Sequence, residues 1–192
     1  MVSDDAELRA RVKALEALLV ERGLIGADTV DQIVDVYESE IGPLLGAKVV
    51  ARAWVDPDFK ERLLDDATAA CGELGIGGLQ GEKLVAVENT DQTHNVVVCT
   101  LCSCYPWPVL GIPPNWYKSP EYRARMVAEP RTVLAEDFGL PLGEDVEIRV
   151  QDSSAEVRYF TLPQRPAGTE DWDEERLAGV VTRESMVGVA IL

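Results

Sequence analysis

Residues 98–105, Val-Cys-Thr-Leu-Cys-Ser-Cys-Tyr (VCTLCSCY), hold three of the four cysteines of this 192-residue chain. The cluster follows a β-branched run, residues 95–99, that predicts a short strand. The C-x-x-C-x-C spacing therefore places three sulfur atoms in one loop at the end of that strand. Clustered cysteines in a chain predicted to be cytosolic are more typical of metal binding or catalysis than of disulfides.

The kind of metal site is constrained by the other ligands that the chain offers. A structural zinc site normally uses two separated ligand pairs, and here there is one cluster and a single histidine, His94. A zinc site that includes His94 is conceivable but strained. An iron–sulfur cluster normally needs four cysteines, and the fourth, Cys71, is remote in sequence. Cys71 lies in an alanine-rich helical stretch and is predicted to be a buried small apolar residue.

The consecutive residues Cys102, Ser103 and Cys104 allow a different coordination. The two sulfurs, with the backbone nitrogens of Ser103 and Cys104 between them, can surround a metal in a planar S,N,N,S claw. Cys99 can add a fifth ligand and leave the sixth position open. Binding through deprotonated amides requires a strongly Lewis-acidic ion, and an open position is typical of a catalytic metal site.

Composition excludes several other functions. The net charge is −16, with 34 acidic against 18 basic residues, which argues against a nucleic-acid or anionic-membrane partner. The N-terminal region has charges scattered through it, and no window approaches the apolar length of a signal peptide or a membrane span. We therefore expect a cytosolic protein.

The periodicity of apolar residues predicts an α+β fold, with a helical N-terminal half and a mixed β-sheet with flanking helices after it. The domain prediction is a helical region over 1–75 and an α/β metal-binding catalytic domain over 76–192. The predicted helices span about 7–24, 29–39, 56–73, 119–127, 130–138 and 174–178. The predicted strands span 84–87, 95–99, 146–150, 157–162 and 187–192, and a proline-rich loop without regular structure is predicted between 105 and 118.

The cluster and its flanks, VCTLCSCYPWPVLGIPPNWYKSPEYRARMV, resemble the metal-binding segment of the nitrile hydratase alpha subunit. The similarity extends over about residues 8–190, including ELRARVKALEALLVERGLI, GAKVVARAWVDPDFKERLLDDATAA, LQGEKLVAVENT and QDSSAEVRYFTLPQRPAGTEDW. C-T-L-C-S-C followed by Y-P-W-P is a specific motif, found here in its expected context. The resemblance implies the layered fold of that subunit and hydration of a nitrile to an amide.

The resemblance also implies a role for each residue of the cluster. Cys99 corresponds to an axial thiolate, Cys102 to a sulfinic acid and Cys104 to a sulfenic acid, with the amides of Ser103 and Cys104 as further ligands. The metal would be non-corrin, low-spin cobalt(III), with iron(III) as the second choice, because threonine at the position of Thr100 accompanies cobalt in the family. The oxygen on Cys104 would serve as nucleophile or base.

Further residues match family positions around the site, and each has a structural alternative. Gln80 matches a glutamine of the active-site hydrogen-bond network, or is a turn residue between glycines. Trp107 matches an aromatic residue that lines the substrate pocket, or is a core tryptophan that packs the loop. Asp152, Glu156 and Arg158 match charges that support the site, with Thr100 beside them, or form a solvated strand face.

The resemblance implies partners as well. Family arginines that contact the oxidised sulfurs come from a beta-type subunit, so the working form would be a heterodimer or heterotetramer, loaded by a metal-delivery accessory protein. The substrate would be a small nitrile. The nearest alternative is the cobalt subunit of thiocyanate hydrolase, which shares the motif, and the others are a non-catalytic metal-binding protein and a zinc-stabilised fold.

Overall fold

The computed structural model describes residues 2–39, 43–77, 83–102 and 104–192. The chain forms two compact units, Met1–Glu40 and Ile41–Leu192. The helices are α1 Val2–Glu21, α2 Thr29–Ser39, α3 Pro43–Val55, α4 Pro57–Asp65, α5 Ala67–Glu73, α6 Trp107–Leu110, α7 Asn115–Lys118, α8 Pro120–Ala128, α9 Pro130–Asp137, α10 Glu174–Ala178 and α11 Arg183–Val187. The strands are β1 Lys83–Glu88, β2 Thr93–Val98, β3 Glu147–Asp152 and β4 Val157–Leu162. In the described part of the chain, no helix is both long and apolar enough to cross a bilayer.

The N-terminal unit consists of the two helices predicted there. α1 ends before Gly23, whose φ of +66° is a left-handed conformation that favours glycine. Leu8, Val12 and Leu15 follow a helical spacing on α1, and each is more than half exposed.

The second unit is organised around two pairs of parallel strands. β1 pairs with β4, and β2 pairs with β3 in a register that sets Thr93 opposite Glu147 and Val98 opposite Asp152. The carboxyl ends of β2 and β3 therefore lie side by side, so the loop that follows β2 begins next to Asp152. The α+β class is confirmed, although the described strands form two parallel pairs and no mixed sheet. The paired strands are far apart in sequence, and helices in the connections allow the parallel direction.

Helix α3 lies in the core, and the sequence analysis did not predict it. Val49, Val50 and Ala51 are fully buried, and the indole nitrogen of Trp54 donates to the Pro163 carbonyl oxygen at 2.8 Å. An apolar run that is buried on most sides lacks the alternation of polar and apolar residues that marks a surface helix.

Two other elements differ from the prediction. The helix predicted over 56–73 is broken at Asp66, whose extended backbone ends α4 and whose side chain caps α5 by accepting from the Ala69 nitrogen at 3.1 Å. The segment between 105 and 118 contains the one-turn helices α6 and α7, because proline is tolerated in the first turn of a helix.

The strand predicted over 187–192 is wrong. Thr182 and Ser185 form a capping box that starts α11, and Gly188, with a φ of +88°, ends it. A side chain at Gly188 would overlap the carbonyl oxygen of Asn95, so this close approach also requires glycine.

An aromatic cluster packs beneath the loop that follows β2. The ring centroids of Tyr105 and Tyr117 are 4.8 Å apart, and those of Trp116 and Tyr122 are 4.9 Å apart. The Ser119 side chain caps α8 by accepting from the Tyr122 nitrogen at 3.1 Å, which fixes where these rings enter the core.

Candidate metal centre

The three clustered cysteines converge at the carboxyl end of β2. The sulfur atoms of Cys99, Cys102 and Cys104 all lie within 4.8 Å of one another. The distance from the Cys102 sulfur is 3.6 Å to that of Cys99 and 3.0 Å to that of Cys104. Cys99 and Cys104 are buried and Cys102 is exposed, so the group opens to solvent on one side. Three sulfurs at this separation are a ligand set for a thiophilic metal ion.

The loop turns sharply because its own backbone closes on the first cysteine. The Cys102 nitrogen donates to the Cys99 sulfur at 3.3 Å. This hydrogen bond closes the turn between the two cysteines and brings the Cys102 sulfur to 3.6 Å from that of Cys99. Ser103, the source of the other predicted amide ligand, lies outside the described residues, and so does Gln80.

A carboxylate at the end of β3 holds the start of the loop. The two oxygens of Asp152 accept from the Thr100 nitrogen at 2.9 Å and from the Thr100 hydroxyl at 2.6 Å. The Ser153 nitrogen also donates to the Val98 carbonyl oxygen at 2.7 Å, which continues the strand pairing to the edge of the cluster. The predicted residues Thr100 and Asp152 are thus brought together beside the cysteines.

Two other side chains hold the loop further along. A guanidinium nitrogen of Arg123 donates to the Cys102 carbonyl oxygen at 2.8 Å. The Tyr117 hydroxyl donates to the Cys104 carbonyl oxygen at 2.9 Å. The sequence analysis named neither residue, because no local spacing relates a residue on α7 or α8 to a carbonyl group of the cysteine loop.

The electrostatic environment of Cys104 opposes a bare thiolate. Burial raises the pKa of Cys104 to about 12, and its side-chain hydrogen bonds with Cys102 and Cys99 act in the same direction, while the charge of Arg158 lowers it. A bound metal cation would reverse this balance by stabilising the thiolates.

Arg158 supplies a further test of whether an anionic metal group fits here. Its Nε and Nη1 atoms are buried and have no hydrogen-bond partner among the described residues. Buried guanidinium donors without acceptors are costly, and oxygen atoms on a nearby sulfur are acceptors of the required charge. The residues present therefore fit a metal bound by oxygenated cysteines.

The remaining predicted residues are less closely connected to the cluster. Trp107 begins α6, is half-buried and packs against the core. Glu156 is exposed, and the hydrogen bonds described for it involve its backbone. The Lys83 nitrogen donates to its carbonyl oxygen, and its own nitrogen donates to the Ser154 hydroxyl oxygen.

The histidine and the fourth cysteine lie apart from the cluster. His94 is buried at the opposite end of β2, with its Nε2 atom 2.8 Å from the Gly188 carbonyl oxygen, and burial lowers its pKa. Cys71 is fully buried in α5, and burial raises its pKa to about 12. The burial of Cys71 agrees with the prediction from the sequence, and His94 lies at the far end of β2 from the cluster.

This geometry can be compared with known proteins. A model of the family described as nitrile hydratase, alpha chain, matches residues 6–190. The chain belongs to the nitrile hydratase alpha-chain family. The resemblance stated from the sequence is confirmed.

Members and relatives of this family match over nearly the whole chain. The low-molecular weight cobalt-containing nitrile hydratase subunit alpha of Rhodococcus rhodochrous is 66% identical over 185 residues, which cover 96% of this chain and 89% of that protein. The solved structure of a double mutant of the Fe-type nitrile hydratase from Comamonas testosteroni Ni1 has a TM-score of 0.89 at 45% identity and covers 97% of this chain and 91% of its own. The thiocyanate hydrolase subunit gamma of Thiobacillus thioparus is 40% identical and covers 100% of this chain and 82% of its own.

Proposed function

We propose that this chain is the metal-binding catalytic subunit of a cobalt nitrile hydratase, which hydrates a nitrile to the amide. The observation that carries the proposal is the convergence of three cysteine sulfurs within 4.8 Å, in a chain that belongs to the nitrile hydratase alpha-chain family. The convergence of the three sulfurs indicates a metal site, and membership of the family indicates which reaction that site would catalyse.

The proposed ligands are the sulfurs of Cys99, Cys102 and Cys104 with the amide nitrogens of Ser103 and Cys104. Bound there, cobalt(III) would supply the Lewis acidity that activates the nitrile or water. Cobalt is supported by the cobalt-containing relative at 66% identity and by Thr100, whereas the solved Fe-type structure is 45% identical.

The chain's own residues divide the remaining work. Cys104, oxygenated to the sulfenic acid, would act as nucleophile or base, and Cys102 would be the sulfinic acid. Gln80 would hold the substrate or water by hydrogen bonds, and Trp107 would line the substrate pocket.

Charged residues around the cluster would support these groups. Asp152 holds Thr100 and so fixes the start of the loop. The buried Nε and Nη1 atoms of Arg158 would donate to an oxygen atom on an oxygenated sulfur. Glu156 would support the site from its outer side.

A nitrile hydratase alpha chain implies a beta-subunit partner. Exposed apolar side chains on this chain support such a partner, because they gain from being covered. Leu101, at the exposed side of the cysteine loop, is 83% exposed, and Leu8, Val12 and Leu15 are exposed on α1. We propose a heterodimer or heterotetramer, with an accessory protein that delivers the metal.

The organisation of the chain and its location are also proposals. We propose a division of the chain into a helical region over 1–75 and a metal-binding region over 76–192. The cysteine cluster and its described anchors all follow residue 76, which supports this division. The cytosolic location predicted from the sequence remains a proposal.

A second candidate function is favoured by one of the relatives. The thiocyanate hydrolase subunit gamma is 40% identical over the whole chain. Hydrolysis of thiocyanate is therefore the alternative reaction at the same site.

The test is to co-express the chain with its beta-type partner and accessory protein, and to measure amide formation from small nitriles beside thiocyanate hydrolysis. Cys104→Ala should abolish amide formation, because it removes a proposed ligand and the reacting oxygen. Cys71→Ala is the matched control, since Cys71 is a buried cysteine outside the cluster, and it should keep the activity. Thiocyanate hydrolysis without amide formation would favour the second candidate. Equal activities of the two variants would exclude the cysteine cluster as the site of either reaction.

A further inference from the structure

The cysteine loop is held in the described structure by three side chains from other elements. Asp152 holds Thr100, and Arg123 holds the Cys102 carbonyl oxygen. Tyr117 holds the Cys104 carbonyl oxygen at 2.9 Å. We propose that Tyr117 is a positioning residue, whose hydroxyl fixes the orientation of Cys104 and thereby the geometry of the metal centre and the access of an oxidant to the Cys104 sulfur. The oxidant in this proposal is a peroxide, which gives one oxygen atom to the thiolate and leaves as water. The inference rests on the proposed function.

Tyr117 differs from the other two anchors in its surroundings. Its side chain is fully buried, whereas the hydrogen bonds made by Asp152 and Arg123 lie on the exposed side of the loop. Water can replace an exposed hydrogen bond, but it cannot easily reach a buried one. The contact from Tyr117 is therefore the anchor whose loss the protein compensates least.

The position of the Tyr117 hydroxyl is itself fixed by packing. Its ring lies edge-on to Tyr105 at 4.8 Å between centroids, and 5.8 Å from the ring of Tyr122. Tyr105 directly follows Cys104 in the chain, so one ring contact and one hydrogen bond act on the same peptide unit. Because the Tyr117 hydroxyl is held in one place, its hydrogen bond fixes the Cys104 carbonyl group in one orientation.

That orientation determines where the reacting atom of Cys104 lies. Cys104 is the residue expected to contribute both its sulfur and its amide nitrogen as ligands. Fixing its carbonyl group restricts its ψ torsion, and in this orientation the Cys104 sulfur lies 3.0 Å from that of Cys102. Small displacements of a reacting group lower rates strongly, so a residue that touches no substrate can still control catalysis.

The experiment compares Tyr117→Phe with Tyr122→Phe in the co-expressed, cobalt-loaded complex. The second variant is a matched control, because the Tyr122 hydroxyl also donates to a buried carbonyl oxygen, that of Val97 on β2, at 2.7 Å. Both variants lose one hydroxyl and one buried hydrogen bond to the backbone. A purely structural role predicts the same outcome for both.

The readouts are the oxygen content of each cysteine, the thiolate-to-cobalt absorption band and the rate of amide formation. Tyr117→Phe should lower oxygenation of Cys104, shift the band and reduce kcat by about tenfold or more, while Tyr122→Phe stays within about twofold of the parent. The tryptic peptide from Leu84 to Lys118 itself loses one oxygen in Tyr117→Phe, so fragment ions must assign each oxygen to a residue.

Equal oxygenation, band position and kcat in the two variants would overturn the role of Tyr117 while leaving the proposed function intact. A parent complex with three plain thiols and no amide formation would overturn the proposed function, and the inference with it. If Tyr117→Phe does not assemble, the role of Tyr117 can be tested with 3-fluorotyrosine placed at 117 or at 122. This residue keeps the ring and makes the phenolic hydroxyl a stronger hydrogen-bond donor. A band shift for the label at 117 alone supports the role, and no shift or equal shifts overturn it.

Discussion

The hydrogen bonds between Asp152 and Thr100 should couple the cysteine loop to the end of β3. The perturbations are Thr100→Val, which removes the hydroxyl and keeps the branched shape, Asp152→Ala, which removes both acceptors, and the double variant. The two hydrogen bonds measure 2.9 and 2.6 Å. Hydrogen bonds to a charged acceptor contribute about 1.5–3 kcal/mol each when buried, and both residues are exposed, so water recovers much of that.

The expected losses in the free energy of unfolding follow from this discount. Asp152→Ala should cost about 1–2 kcal/mol and Thr100→Val about 0.5–1 kcal/mol. The double variant should cost less than their sum by about 0.5–1 kcal/mol, since the hydroxyl and the carboxylate interact directly. The assay is urea unfolding of the chain before metal loading, monitored by circular dichroism.

The control for this cycle is Glu147→Ala at the other end of β3. Glu147 pairs with Arg149 at 2.7 Å on an exposed surface, where water screens the charges, so its loss should leave the urea midpoint of unfolding unchanged. A coupling energy near zero between Thr100 and Asp152 would refute the view that their contact holds the loop in solution.

Three further predictions concern buried groups. Burial lowers the pKa of His94, so on acidification the unfolded chain binds a proton that the folded chain does not. The free energy of unfolding should therefore fall as the pH drops below about 6.5. A pH series of unfolding curves for His94→Gln should lack this decrease. Brief alkylation of the chain before metal loading should modify the exposed Cys102 and spare the buried Cys71, and the peptide masses would contradict the structure if Cys71 reacted first. Gly188→Ala should lower the free energy of unfolding by more than about 3 kcal/mol, because the new side chain would overlap the Asn95 carbonyl oxygen. Gly168 also has a positive φ but faces open space, so Gly168→Ala should lower it by about 1 kcal/mol. Equal losses in the two variants would exclude the close approach at Gly188.

The cysteine cluster could be predicted from the sequence because its geometry is local. Three ligands within six residues can meet around one ion whatever the rest of the chain does. The strand before them could be predicted for a similar reason, since β-branched residues favour an extended chain. The burial of Cys71 also followed from its local context and residue type.

The anchors of the loop could not be predicted from spacing. Asp152 reaches Thr100 only because β2 and β3 pair in a register that sets Val98 opposite Asp152, and strand pairing is a property of the whole fold. Tyr117 meets Cys104 through the packing of α7, a one-turn helix within a proline-rich segment that was predicted to have no regular structure.

The errors in secondary structure have two causes, competing local signals in one segment and burial on most sides of a helix in another. Residues 187–192 are apolar enough for a strand, but the capping box at Thr182 and the left-handed Gly188 impose a helix and its end. Helix α3 was missed because burial on most of its faces removes the periodic pattern by which surface helices are found.

An oxygenated cysteine claw that holds cobalt differs from a zinc site with plain thiols in both its metal and its mass. The chain is purified with its partner, its cobalt content is determined, and the oxygen atoms in the tryptic peptide from Leu84 to Lys118 are assigned by mass spectrometry. We expect one cobalt per chain, two added oxygens on Cys102, one on Cys104 and none on Cys99. Three plain thiols in a zinc-loaded protein would contradict it and leave a structural metal site.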